Sequence, residues 1–266
     1  MRRTSTALSP TPRHLDADRG GAGPAALVTG GSRGIGAATC LLLAAEGWDV
    51  AFTYRNKATR AAEIARQIEE RRGRALSARC DITDPAALAA LGSALAAWTS
   101  TLRLVVLNAS GGMERDLVAR DPDYPMRINR DAQLAVLDTC LPRLGRGSTV
   151  SFVTSHWAHR YGSLTQVPEY EPVARSKRAG EDALRDRQDE LAARGIRLLV
   201  VTGDLVEGTI TAKLLERRTP GVAAQRGEAA VSIDEIATAI VAASLDPTVA
   251  SGATIVVGAP LDSLGR

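Results

Sequence analysis

Thr29-Gly30-Gly31-Ser32-Arg33-Gly34-Ile35-Gly36 is a stretch whose residue types and spacing suit phosphate binding. It follows the apolar run Ala25-Ala26-Leu27-Val28 and precedes Ala37-Ala38-Thr39-Cys40-Leu41-Leu42-Leu43-Ala44. In a strand, turn and helix of this kind, glycines let the backbone approach a pyrophosphate, and the helix N-terminus offers free N–H groups and a positive dipole end. The contacts expected there are Gly30, Ser32, Arg33, Gly34, Ile35 and Gly36. A free ribose 2′-hydroxyl is usually met by a carboxylate about 20 residues after such a turn. Tyr54-Arg55-Asn56 occupies that place and carries no acid. Arg55 and Arg33 together suit charge-assisted bonds to a 2′-phosphate, although either alone would pass as surface charge.

These residues need a scaffold, and the rest of the chain reads as one. Apolar runs at residues 50–54, 75–78, 104–107, 149–153, 196–201 and 253–257 alternate with helical stretches at 58–72, 84–98, 126–141, 172–193 and 233–244. Asp84-Pro85 is a helix start, with the aspartate as cap and the proline in the first turn. Near-continuous apolar strands alternating with helices imply a parallel sheet covered on both faces. The expectation is an α/β fold: a single doubly wound Rossmann domain over residues 25–266, with a seven-stranded parallel sheet.

Composition narrows the function classes. Hydrophobic residues make up 45% of the 266 and aromatics only 3%, so the core must rest on Ala, Leu, Val and Ile. The net charge of +3 is modest and the signs are interspersed, which points away from nucleic acid. Cys40, Cys80 and Cys140 are isolated and odd in number, as for free thiols in a reducing compartment. No apolar run approaches the ~20 residues of a membrane span. Residues 1–24, rich in Arg, Ser, Thr, Pro and Gly, read as a disordered extension without a signal-peptide core. A cytoplasmic protein with no membrane, nucleic-acid or metal partner is expected.

With the elements placed, residues 24–260 resemble the short-chain dehydrogenase/reductase family. Thr29-Gly30 through Gly34-Ile35-Gly36 looks like its cofactor turn, and Asp81-Ile82 like its adenine contact. Asn108-Ala109-Ser110-Gly111 looks like its Asn-Asn-Ala-Gly segment, with Leu107 in place of the first Asn. Asn129, Ser155 and Lys177 match its active-site asparagine, serine and lysine. The Arg33 and Arg55 pair points to NADPH as the cofactor, and the resemblance implies Asn108, Ala109, Ser110, Lys177 and Thr209 among its contacts. It implies that Ser155 holds a substrate oxygen, that a tyrosine protonates it, and that Asn129 positions a relay water. A cationic Lys177 would lower the tyrosine pKa and reach the nicotinamide ribose. It also implies a homotetramer or homodimer joined through the helices at 126–141 and 172–193.

The departures matter as much. The family tyrosine stands four residues before the lysine, where this chain has Val173. Tyr170 stands seven before Lys177, a Tyr-x6-Lys spacing similar to the divergent enoyl-acyl carrier protein reductase branch. Seven residues are almost two helical turns, so both side chains share a face. Tyr161 is a rival proton donor. The long stretch between Ser155 and Tyr170 holds His156, Trp157, His159 and Tyr161 and reads as substrate-pocket wall. The usual Pro-Gly after the sixth strand is replaced by Gly203-Asp204, and residues 205–226 read as a substrate lid. Asp204 and Glu207 are either contacts to a polar substrate group or solvated loop charges. Three readings follow: reduction of a keto group on a small-molecule or carrier-bound acyl substrate, reduction of an enoyl thioester, or NADPH binding without catalysis.

Overall fold

The computed structural model describes residues 23–221 and 231–261. The expected extension at 1–24 therefore lies almost wholly outside the described residues, as do 222–226 of the expected lid. Seven parallel strands form one sheet: β1 (Ala25–Val28), β2 (Asp49–Tyr54), β3 (Ala75–Arg79), β4 (Leu104–Leu107), β5 (Thr149–Ser155), β6 (Arg197–Gly203) and β7 (Thr254–Val257). Their order is β3-β2-β1-β4-β5-β6-β7, so the direction of winding reverses between β1 and β4. A crevice at the strand C-termini beside such a reversal is the ligand site of open α/β sheets. The expected doubly wound Rossmann fold is what the chain forms.

Alternation along the strands builds a core on each face. Leu27, Val105, Leu107, Val150 and Phe152 pack on one side, against α3 (Pro85–Trp98) and α6 (Ala132–Cys140). Ala26, Val28, Val106, Val153 and Val201 pack on the other, against α1 (Gly34–Ala45) and the C-terminal helix α11 (Ile233–Leu245). Asp84 caps α3 by accepting from the Ala86 N–H, as its sequence suggests. The remaining α-helices among the described residues are α2 (Ala58–Glu70), α4 (Arg115–Arg120), α5 (Tyr124–Met126), α7 (His156–His159), α8 (Glu171–Arg185), α9 (Gln188–Ala193) and α10 (Ile210–Arg218).

Two expected helices are corrected. The stretch at 126–141 starts at Tyr124 and contains a π-helical segment, Arg127–Asp131, between α5 and α6. The stretch at 172–193 is two helices, α8 and α9. At their junction the Arg187 N–H bonds the Leu184 carbonyl, tightening the ladder where no Pro or Gly marks a stop. Arg185 is drawn to the Gly252 carbonyl and Thr254, and Arg187 to Asp138.

Helix α8 lies against the π segment in backbone contact. A Cβ on Gly180 would sit 2.0 Å from the Asn129 carbonyl oxygen. That neighbour is main chain inside a helix and has little room to give. Gly180→Ala is expected to lose roughly 1–3 kcal/mol of stability by overpacking, read as a lower urea midpoint. An unchanged midpoint would mean the two helices separate freely.

Candidate active site

The glycine turn is fastened to β4 through one hydroxyl. Thr29 Oγ1 accepts from the N–H groups of Asn108 and Ala109, both at 2.9 Å, and donates to the Val106 carbonyl at 3.3 Å. The Asn108 amide donates back to the Thr29 carbonyl at 2.9 Å. Gly36 lies under this turn. A Cβ there would meet the Gly30 carbonyl oxygen at 2.4 Å, so α1 approaches the turn only as glycine. No side chain caps α1, which leaves its first N–H groups beside the cleft.

That cleft, of about 700 Å³, runs along the strand C-termini. Gly30, Ser32, Arg33, Gly34 and Ile35 border it, with Arg55, Asp81 and Ile82 at one end. Asn108, Ala109 and Ser110 border its middle, and Ser155, Tyr170, Lys177 and Thr209 its other end. Two of the expected cofactor contacts also hold the protein together. The Asn108 amide helps to hold the turn. The Thr209 hydroxyl caps α10, accepting from the Ala212 N–H at 3.2 Å and donating to the Val206 carbonyl at 2.8 Å. Asp81 uses one carboxylate oxygen to accept from Thr83. Arg55 is not loose: its guanidinium donates to the Tyr124 hydroxyl at 2.7 Å and faces Glu114 at 3.6 Å.

The structure brings Ser155 and Tyr170 together. Ser155 ends β5 and caps α7, where its Oγ accepts from the Ala158 N–H at 3.3 Å. Tyr170 immediately precedes α8 and turns its hydroxyl to 3.0 Å from Ser155 Oγ. Its ring lies 5.6 Å from that of Trp157, and the residue is 4% exposed. Burial raises the Tyr170 pKa, against a smaller lowering by the Ser155 hydrogen bond. A protonated phenol is the form a proton donor needs. Lys177, two turns along α8, is buried at the same end of the cleft, and that burial pulls its ammonium down to about 8.

Asn129 sits at a junction. Its Nδ2 donates to the Gly111 carbonyl and Ser176 Oγ, each at 2.9 Å, and its Oδ1 accepts from the Gly111 N–H at 3.3 Å. The side chain thereby joins the loop after β4 to α8. The stretch expected as pocket wall contributes only Trp157. His156 is buried with Nδ1 on Thr202 Oγ1, and His159 Nδ1 meets the buried Glu181 carboxylate at 2.9 Å. The Tyr161 hydroxyl donates to Glu171, away from the cleft. Asp204 is buried and borders the cleft, while Glu207 is exposed.

Within the expected lid, Arg218 at the end of α10 donates to the Met113 carbonyl at 2.7 Å and Thr219 to Glu169 at 3.0 Å. Where β6 ends, the chain lies beside the residue that leads into α11, with the Glu207 N–H on the Val231 carbonyl at 2.8 Å and the Val231 N–H on the Leu205 carbonyl at 3.1 Å. Ser176, Lys57 and Arg60 were not singled out in the sequence, and Thr29 only as the start of the glycine turn. The two cations border the phosphate end of the cleft and are recognisable only as charges soon after β2.

The Lys177 shift fixes a sign. Its pKa is about 8 when folded against an ordinary 10.5, so the unfolded chain holds the proton over that window and stability rises with pH through it. The gain is on the order of 3 kcal/mol and is lost as pH falls through the folded value. Lys177→Met is therefore expected to be most favourable relative to wild type near pH 7. Urea midpoints of the two proteins that keep a constant gap from pH 7 to pH 10.5 would refute the burial of a charged lysine.

A family model described as short chain dehydrogenase matches residues 24–219. An uncharacterised oxidoreductase of Escherichia coli K12, YgfF, is 32% identical over 232 residues, covering 81% of this chain and 90% of that protein. A short-chain dehydrogenase from Burkholderia cenocepacia J2315, solved in complex with NADP, is 28% identical with a TM-score of 0.75, covering 91% of this chain and 98% of that one. The angucycline C-6 ketoreductase LanV, solved with bound NADP, is 25% identical with a TM-score of 0.73, covering 88% and 94%. With the reversed sheet, the fastened glycine turn and a match over most of its length, the chain belongs to the short-chain dehydrogenase family.

Proposed function

We propose that this protein is an NADPH-dependent reductase of a carbonyl, a keto group on an acyl thioester or polyketide-like intermediate. The observation that carries the reading is the Ser155–Tyr170 hydroxyl pair, 3.0 Å apart, at one end of a cleft that also holds Lys177 and begins at the glycine turn. The residues at the other end fit a dinucleotide: Gly36 keeps the turn open to close approach, the uncapped α1 faces phosphate, and Arg33 and Arg55 suit a 2′-phosphate. The two NADP-bound relatives support that cofactor, and LanV supports keto reduction. NADPH, when bound, supplies the hydride.

The chain's own residues do the rest. Ser155 orients the substrate oxygen, and Tyr170 delivers a proton to it as negative charge develops. Lys177 faces the ribose end of that site and holds positive charge near the phenol. Asn129 fixes the loop after β4 against α8, which keeps Lys177 in place. Trp157 and the lid exclude water. The substrate is a small molecule or a carrier-bound acyl group. One observation favours enoyl-thioester reduction as a second reading: the donor phenol precedes the lysine by seven residues. We read the chain as a homodimer or homotetramer, and light scattering that finds only monomer at micromolar concentration would remove that part.

The deciding experiment follows NADPH consumption with a panel of β-ketoacyl and enoyl thioesters. Turnover of the keto compounds alone supports the first reading, and of the enoyl compounds alone the second. With the active substrate, Tyr170→Phe is expected to lower turnover by ~10²–10⁴ while NADPH still binds, and Tyr161→Phe to stay near wild type. A collapse in Tyr161→Phe instead would move the proton donor to that residue. NADPH is expected to bind more tightly than NADH, and Arg55→Ala to erase most of the difference.

A further inference from the structure

The partners of Arg55 carry an inference about cofactor discrimination that rests on the 2′-phosphate reading above. Arg55 stands between two depressions. One is the cleft, and the other, of about 930 Å³, lies between the start of α3 and α4 and contains none of Ser155, Tyr170 or Lys177. Arg55, Glu114 and Tyr124 border both and form the wall between them. Tyr124 is 4% exposed, and its hydroxyl accepts from Arg55 Nη1 at 2.7 Å. Glu114 is itself held, its Oε2 accepting from the Gly112 N–H at 2.8 Å, with Oε1 at 3.6 Å from Arg55 Nη2.

These two partners differ in charge, and so in what they do to a phosphate. The Tyr124 hydroxyl is neutral. It fixes the guanidinium in one orientation and takes only one of its five N–H donors. Glu114 is an anion aimed at the same guanidinium. It competes for the donors that a 2′-phosphate needs, and it repels a dianion placed beside it. We propose that Tyr124 and Glu114 set the preference for a 2′-phosphorylated cofactor with opposite signs: Tyr124 positions Arg55 for the phosphate, and Glu114 opposes phosphate binding there.

The test is calorimetric and needs no turnover. Adenosine 2′,5′-bisphosphate and AMP are titrated into the wild type and four variants. Since half-exposed ion pairs are weak, Glu114→Gln is expected to tighten the bisphosphate by about 2–5-fold. Tyr124→Phe keeps the ring and loses the anchor, and is expected to weaken the bisphosphate by about 3–10-fold. AMP should bind all of them alike, because it lacks the group that Arg55 meets. Arg55→Ala should remove most of the bisphosphate preference, and Arg55→Ala/Tyr124→Phe should add no further loss. Loss of AMP binding in step with the bisphosphate in Tyr124→Phe would mean a packing role and overturn the proposal. So would bisphosphate shifts of the same sign in Glu114→Gln and Tyr124→Phe, or none in either. If Arg55→Ala keeps the bisphosphate preference, it is the 2′-phosphate reading of Arg55 that fails.

Discussion

The Asn129 side chain donates to the Gly111 carbonyl and to Ser176, and accepts from the Gly111 N–H. Those bonds tie the loop after β4 to α8, across a backbone contact that only a glycine at 180 permits. The cleft depends on this junction. The loop is one wall of the cofactor groove, and the helix carries Lys177, with Tyr170 just before its first turn. The π-helical segment has a reason here: it places the Asn129 carbonyl on Gly180 and the amide on Gly111 at once. Single-turn π irregularities recur at functional sites, where one residue has to be aimed out of helical register.

How much of this was legible depended on whether the cause was local. The glycine turn and the cap at Asp84 were legible because both are short-range steric demands written into adjacent residues. The parallel sheet followed from apolar runs alternating with helices, since a parallel sheet must be buried on both faces. The pairing of Ser155 with Tyr170 was legible through the resemblance and through helical spacing. The fates of single polar groups were not. Whether Asn108 faces cofactor or Thr29 is decided across a separation of 79 residues. His159 and Tyr161 looked like pocket wall because polar aromatics crowd one stretch. Glu181 and Glu171, on a helix that packs beside them, take both instead. The join between α8 and α9 carries no breaker at all.

The few aromatic side chains are unevenly used. Phe52 and Phe152 are the large rings among the fully buried side chains of the sheet core, which otherwise packs by Leu, Val, Ile and Ala. Trp157, Tyr161 and Tyr170 gather in a separate apolar cluster beneath the lid, with Met113, Leu205 and Leu215. The sheet is thus built mostly from small pieces that fit closely, while Trp157 and Tyr170 bring two rings to the cleft. Burial there also decides the chemistry, since it holds the Tyr170 phenol protonated and makes a charge on Lys177 costly at the same time.

The paired bonds between Glu207, Val231 and Leu205 close the lid's two ends against each other at the rim of the sheet. A loop whose ends are already joined adds little entropic cost as it lengthens, roughly 0.6 kcal/mol per doubling. In the described part of that span, Leu215 is fully buried, Arg218 bonds the Met113 carbonyl and Thr219 bonds Glu169. Helix α10 is thus tied at its root by the clasp and at its far end by the loop after β4 and the stretch before α8, so any movement of it must break bonds at one end or the other.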